Sequence, residues 1–137
     1  MNWKLCLQLS MFGLAMGILT VFLIPSTIEP WCWLAIFIIC AYIVAKRGVP
    51  MPFGHGFMTS IFNSVWITSI HVALYDQYVA RHIDELHAMQ QMAAIQPRVM
   101  MAVTGPVIGV VSGLVLGLFC WVAAKLMNRK QVSPSAA

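Results

Sequence analysis

The chain has 137 residues, of which 61% are hydrophobic and only 9% are charged. A soluble domain of this size usually carries about a quarter charged residues. Together with a mean hydropathy of +0.84, this composition excludes an ordinary soluble domain and indicates a single-domain membrane protein. The net charge of +4 is modest and gives no support for nucleic-acid binding.

Four stretches without a charged residue follow one another along the chain. Crossing a bilayer takes roughly 20 apolar residues. The stretches therefore predict transmembrane helices near residues 5–24, 31–45, 53–75 and 100–124. The second span is short, but Trp31 and Trp33 are typical interface anchors at one end, and Lys46 can snorkel at the other. We expect an all-α integral membrane bundle of four helices, forming one domain over residues 1–137.

The distribution of charge along the chain predicts the topology. All acidic residues fall in the first and third connections: Glu29, Asp76, Asp84 and Glu85. Basic residues dominate the N-terminus, the second connection and the C-terminus: Lys4, Lys46, Arg47, Lys125, Arg129 and Lys130. By the positive-inside rule, both termini and the second connection are cytoplasmic. The first span lacks a small-residue cleavage site after it, so we expect it to be retained as a helix.

The first and last spans carry glycines at four-residue intervals. The last span holds an uninterrupted series, called here the glycine strip: Gly105, Gly109, Gly113 and Gly117. In the first span, Gly13 and Gly17 are also four residues apart. A helix side without side chains lets another backbone approach closely, so that packing and weak Cα–H···O contacts hold the helices together. We predict a glycine-zipper contact with the first helix, in preference to the same helix of another copy in a homo-oligomer.

The third span carries a polar stripe along one side. Its members are Ser60, Asn63, Ser64, Thr68, His71 and Tyr75. The same spacing continues to the outer surface through Tyr78, His82 and Glu85. One interpretation is a path for protons or a small solute, since ionisable groups inside membranes often mark such paths. The other is hydrogen bonding between helices or to the helix's own carbonyls. Because no Asp or Glu lies within a span, His71 would be the only ionisable element of a path.

Between the third and fourth spans, residues 76–97 place apolar side chains at helical spacing. This pattern predicts an amphipathic helix on the outer face that ends at Pro97. It contains "RHIDELH", the densest polar cluster of the chain. His82 and His87 are five residues apart, whereas a metal site of the HExxH type needs histidines four apart on one face. We expect a solvated face without metal, with pH sensing by the two histidines as the remaining functional interpretation.

No enzymatic motif is recognised in the chain. It lacks a P-loop, a GxSxG elbow and an Asp-rich phosphotransferase motif. Its four cysteines show no CxxC spacing and are expected to be unpaired fillers of helices: Cys6, Cys32, Cys40 and Cys120. We therefore expect no catalytic residues and no cofactor.

The order of features resembles a known family. The stretch "FGHGFMTSIFNSVW" is followed by "YDQYVARHIDELHAMQQM", and a Gly-rich last helix ends in "KLMNRK". Over Pro52 to Lys130 this order resembles the small four-helix bacterial membrane family catalogued as domain of unknown function 4199. The resemblance implies a bacterial inner (cytoplasmic) membrane location. It implies no activity and no site residues.

Two functional hypotheses follow from the sequence. The favoured one is a non-enzymatic assembly or accessory component that packs through the glycine strip and presents residues 76–97 outside. Its partners would be the lipid bilayer and a second copy or another membrane protein. The alternative is a small transporter or channel that uses the polar stripe with His71. A membrane enzyme is the third possibility.

Overall fold

A computed structural model describes residues 1–92 and 95–131, and these residues form an all-helical structure. Six helices follow in chain order: α1 (Trp3–Phe22), α2 (Glu29–Lys46), α3 (Pro52–Ala73), α4 (Tyr75–Val79), α5 (Ile83–Met92) and α6 (Pro97–Gln131). Among the described residues, three segments are long and apolar enough to cross a membrane: Trp3–Phe22, Glu29–Lys46 and Pro97–Asn128. The remaining predicted span, the third along the chain, corresponds to α3. This helix has 22 residues, but its polar side chains lower its mean hydropathy, so it is not among these three segments.

Prolines mark the beginnings of α3 and α6. Pro52 and Pro97 each occupy the first helical position, where the missing N–H has no intrahelical role and the fixed φ suits the helix. Pro97 therefore begins the last helix, whereas the sequence predicted that it ends the outer one. Before α3, the loop turns through Gly48 and Met51, with φ of 58° and 57°.

The connection between α3 and α6 contains two short helices in place of the single helix predicted for residues 76–97. The chain turns between α4 and α5, where the amide of His82 donates to the carbonyl of Val79 at 3.2 Å. The turn buries two aromatic side chains against the long helices, because only 6% of Tyr78 and 3% of His82 remain exposed. A continuous helix would carry this segment away from α1, which α4 contacts.

The most polar long helix, α3, makes extensive contacts with α1 and α6, and α2 packs against α6. Helices α1 and α3 run parallel, since Asn2 meets His55 near their beginnings and Thr20 meets His71 near their ends. The indole of Trp66 also donates to the hydroxyl of Ser10 across this interface. Side-chain hydrogen bonds between helices contribute about 0.6 kcal/mol each in a membrane.

The glycine strip of α6 faces α3, not the first helix as predicted. A Cβ atom at Gly113 or Gly117 would lie 2.9 Å from a ring carbon of Phe57 or Phe53, respectively. Along the rest of the strip, Gly109 lies against Ser64 and Gly105 against Thr68. Glycine spacing predicts a close helix contact but does not specify the partner.

The glycines of α1 face α3 as well. A Cβ atom at Gly13 would lie 2.6 Å from the Cα of Asn63, and one at Gly17 would lie 2.8 Å from the Cδ1 of Ile70. Both glycine-bearing helices thus approach α3 closely. Instead of the predicted contact between α1 and α6, each of these two helices contacts α3, which lies between them.

Candidate functional site

A cavity of about 700 Å³ lies between α2, α3 and α6. Its polar lining comes from the α1–α2 connection and from every helix except α1: Ser26, Glu29, Ser60, Asn63, Ser64, Thr68, His71, Tyr78, Glu85, Thr104 and Ser112. Apolar and aromatic side chains of α2 and α6 form much of the remaining wall. The cavity thus combines a large apolar surface with a few polar groups, as ligand sites do.

The structure brings five of the six members of the polar stripe to this cavity. Tyr75 is the exception, because its ring lies under the guanidinium of Arg98, 5.1 Å from the ring centre. The stripe also holds helices together, since the hydroxyl of Ser60 donates to the carbonyl of Gly109 at 3.3 Å. The stripe therefore contributes both hydrogen bonds between helices and a polar cavity wall, and conduction along it stays a prediction.

Asn63 has a fixed orientation at the cavity wall. The backbone N–H of Gly13 donates to its Oδ1 atom at 3.1 Å. Because a backbone N–H can only donate, this bond identifies the oxygen and leaves the NH₂ group as the free end. Only 3% of Asn63 is exposed, and its Nδ2 atom has no partner among the described residues. A buried donor left without a partner costs roughly 1–3 kcal/mol, and this NH₂ group has almost no accessible surface.

His71 is held between α1 and α4. Its Nε2 atom lies 2.7 Å from the hydroxyl of Thr20, which itself lies 2.8 Å from the carbonyl of Met16. If the hydroxyl donates to that carbonyl, Nε2–H must donate to the hydroxyl. One face of the imidazole stacks on Tyr78, with ring centres 4.2 Å apart. His71 thus reaches the cavity through its ring, while Nε2 is used between helices.

Tyr78 is stacked between two imidazoles. The ring of His82 covers its other face at 4.1 Å and is nearly parallel to it. His82 is fixed there, because its Nδ1–H donates to the carbonyl of Tyr78 at 2.9 Å. The Tyr78 hydroxyl donates to the carboxylate of Glu85. Burial raises the pKa of Tyr78 above its usual range, and the hydrogen bond to Glu85 raises it further.

The cluster "RHIDELH" is therefore divided between two environments. Asp84 and His87 are exposed, as expected of a solvated face. His82 is buried and Glu85 lines the cavity, so the interpretation as a wholly solvated face is wrong for these two residues. The spacing of the polar stripe leads to both residues, but nothing between Val79 and Ile83 is Gly or Pro, so no local signal predicted the turn that brings them inward.

A second carboxylate, Glu29, lines the same cavity as Glu85. The indole N–H of Trp33 donates to its Oε1 atom at 3.2 Å. Each carboxylate is thus bonded to an aromatic side chain of the cavity lining, and two negative groups face one space. Trp33, predicted only as an interface anchor, is part of the cavity wall.

Within residues 1–92 and 95–131, no group of three or more His, Cys, Asp or Glu side chains is arranged to hold a metal ion. All four cysteines are free, and Cys6, Cys40 and Cys120 are buried. Comparison with known proteins found no matching family model, no matching curated protein and no matching solved structure.

Proposed function

We propose that this chain is a four-span protein of the bacterial inner membrane, with both termini in the cytoplasm. Three helices have the length and apolarity to span a bilayer. The fourth span is α3, whose polar side chains face α1, α6 and the cavity, so that it tolerates a lower hydropathy. The distribution of acidic and basic residues supports the orientation. Membership of the family of unknown function 4199 belongs to this proposal and is supported by motifs alone.

We further propose that the protein is non-enzymatic and binds a small solute in the cavity between α2, α3 and α6. The observation that carries this function is the convergence of the polar stripe with Glu29 and Glu85 on one space of about 700 Å³. Ligand sites usually enclose about 300–1,000 Å³, with an apolar lining and a few placed polar groups.

The structure weakens the main support for the assembly hypothesis. That hypothesis rested on a glycine strip that needed a partner, and the strip is in contact with α3 of the same chain. The alternative hypothesis gains the cavity that it required. Solute binding is therefore the better supported of the two, and transport of the solute is a separate step that needs its own test.

Binding is tested by filling the cavity. Ser112 lines the cavity, whereas its neighbour Val111 does not and is 58% exposed. The neutral dye N-phenyl-1-naphthylamine is titrated into protein in lipid nanodiscs, with protein-free nanodiscs subtracted. We expect saturable binding to wild type and to Val111→Phe, and about tenfold weaker binding to Ser112→Phe, because a ring occupies part of the site. Equal binding to both variants, or none to wild type, would refute the proposal.

Transport is tested in vesicles that contain wild type or His71→Ala. Proton and cation flux that the substitution abolishes would favour a transporter or channel that uses His71. Flux that is absent from wild type would limit the protein to binding.

A further inference from the structure

We infer that the solute is an organic cation with an apolar body. This inference rests on the proposed function and deepens it, since it specifies the chemical class of the ligand. The charged residues of the cavity favour a cation. Glu29 and Glu85 both line the cavity, and its lining contains no Lys or Arg among the described residues. The guanidinium of Arg98 is placed over the ring of Tyr75, which is not part of this lining.

The aromatic side chains of the cavity wall also favour an organic cation. Trp33, Phe37 and Phe119 line the cavity. Trp33 contacts Phe37 edge to face with ring centres 6.2 Å apart, and Phe37 contacts Phe119 in the same way at 6.3 Å. Aromatic faces attract organic cations, and carboxylates strengthen this attraction by supplying the opposite charge. Both faces of Tyr78 are covered by imidazoles, so its contribution is to hold Glu85 in place.

The other end of the site is polar but uncharged. Ser60, Asn63 and Ser64 line the cavity there. Along α3, Asn63 lies eight residues before His71, which corresponds to about 12 Å. The two carboxylates and the aromatic side chains that bind them therefore lie at one end of the cavity. A ligand of matching polarity carries its positive charge at that end.

Small metal cations fit this arrangement less well. Metal ions such as Ca²⁺ need six or more oxygen ligands, and the described residues contain no metal-holding group. The two carboxylates are already bonded to the Trp33 and Tyr78 side chains. A large, weakly hydrated cation needs only nearby charge and aromatic surface, both of which are present.

The experiment compares two ions of similar size and shape but opposite charge. Tetraphenylphosphonium and tetraphenylborate compete with N-phenyl-1-naphthylamine for protein in nanodiscs, at free concentrations fixed by dialysis. We expect the cation to displace the dye at a concentration at least about tenfold lower than the anion. Attraction of ~1.4 kcal/mol or more between the cation and the carboxylates would produce this difference. Glu85→Gln and Glu29→Gln should each reduce this preference while dye binding persists. Asp84→Asn, on the exposed side of α5, is the matched control and should leave it unchanged.

The outcomes separate the two proposals. Equal displacement by both ions, or a preference that survives both glutamate substitutions, would overturn the inference while the binding cavity stands. Failure of the dye to bind wild type would overturn the proposed function and, with it, this inference. Two glutamate variants are used so that misfolding of one leaves the other to decide.

Discussion

The backbone N–H of Gly13 donates to the side-chain oxygen of Asn63, and this one bond joins α1 to the wall of the cavity. Two properties of Gly13 make this contact possible. Its missing side chain leaves room for the backbone of α3, and its uncovered N–H reaches the amide oxygen. The contact in turn fixes the orientation of the Asn63 side-chain amide.

Gly13→Ala should therefore destabilise the protein. The added Cβ would lie 2.6 Å from the Cα of Asn63, and overpacking of this kind costs roughly 1–3 kcal/mol. Ala15→Val adds bulk on an exposed position of the same helix and is the control. Thermal unfolding in detergent measures both. Similar melting temperatures for the two variants would contradict the close approach.

Gly113→Leu should also lower stability, because its side chain would meet the Phe57 ring, 2.9 Å from the position of the added Cβ. The expected loss is about 3 kcal/mol, at the upper end for overpacking. Val110→Leu, at an exposed position of α6, is the control. Since the strip contacts α3 of the same chain, the loss should appear at any protein concentration. A change in oligomeric state without loss of stability would instead assign the strip to contacts between copies.

His71→Ala and His71→Phe separate the two roles of the imidazole. The alanine variant loses both the bond to Thr20 and the stack on Tyr78, and we expect a loss of about 2–4 kcal/mol. The phenylalanine variant keeps a ring on Tyr78 and should lose about 1 kcal/mol. Chemical denaturation measures the difference. Equal losses would show that stacking contributes nothing.

Tyr78 should make stability sensitive to alkaline pH. Burial raises its pKa in the folded protein above the ordinary value of a tyrosine, so the folded state favours the neutral phenol. This stabilisation is complete below the unfolded pKa of about 10 and is lost as the pH rises above it. Wild type should therefore lose more stability than Tyr78→Phe between pH 9 and 11, in melts at matched salt. Tyr42→Phe, at a 53% exposed position, should follow wild type.

The protein should contain no stoichiometric zinc after gel filtration. His82 uses Nδ1 in a bond to the Tyr78 carbonyl, and its Nε2 atom is buried, while His87 is exposed. The two histidines therefore do not form a joint site. Elemental analysis of wild type and His82→Ala measures the metal content. Zinc present in wild type and lost from the variant would contradict this arrangement.

Local patterns in the sequence predicted the long helices well. Their apolar stretches are continuous, and hydropathy is a property of neighbouring residues, so the predicted spans differ from the helices by only a few residues at most ends. The polar stripe was also predictable, because the spacing of Ser60, Ser64 and Thr68 fixes their common face. Five of its six members line the cavity.

Features that depend on distant residues could not be predicted in this way. The partner of the glycine strip depends on which helix lies beside α6, and glycine spacing carries no information on that. The arrival of Glu29 and Glu85 at one cavity depends on the fold of two separate connections. The turn that directs Tyr78 and His82 inward is stabilised by burial of their rings, with no turn residue to mark it.

The position of α3 between α1 and α6 also constrains how the chain reaches its membrane. On its own, α3 would present Asn63, His71 and several hydroxyls to hydrocarbon, where unsatisfied polar groups are costly. Helix α1 is made before it and already supplies Gly13 and Thr20, but the glycine strip is made last. In the proposed arrangement, α3 moves from the translocation machinery into the lipid together with α1. It reaches its final position only after α6 has been synthesised. A chain truncated before residue 97 should consequently be a substrate for membrane proteases.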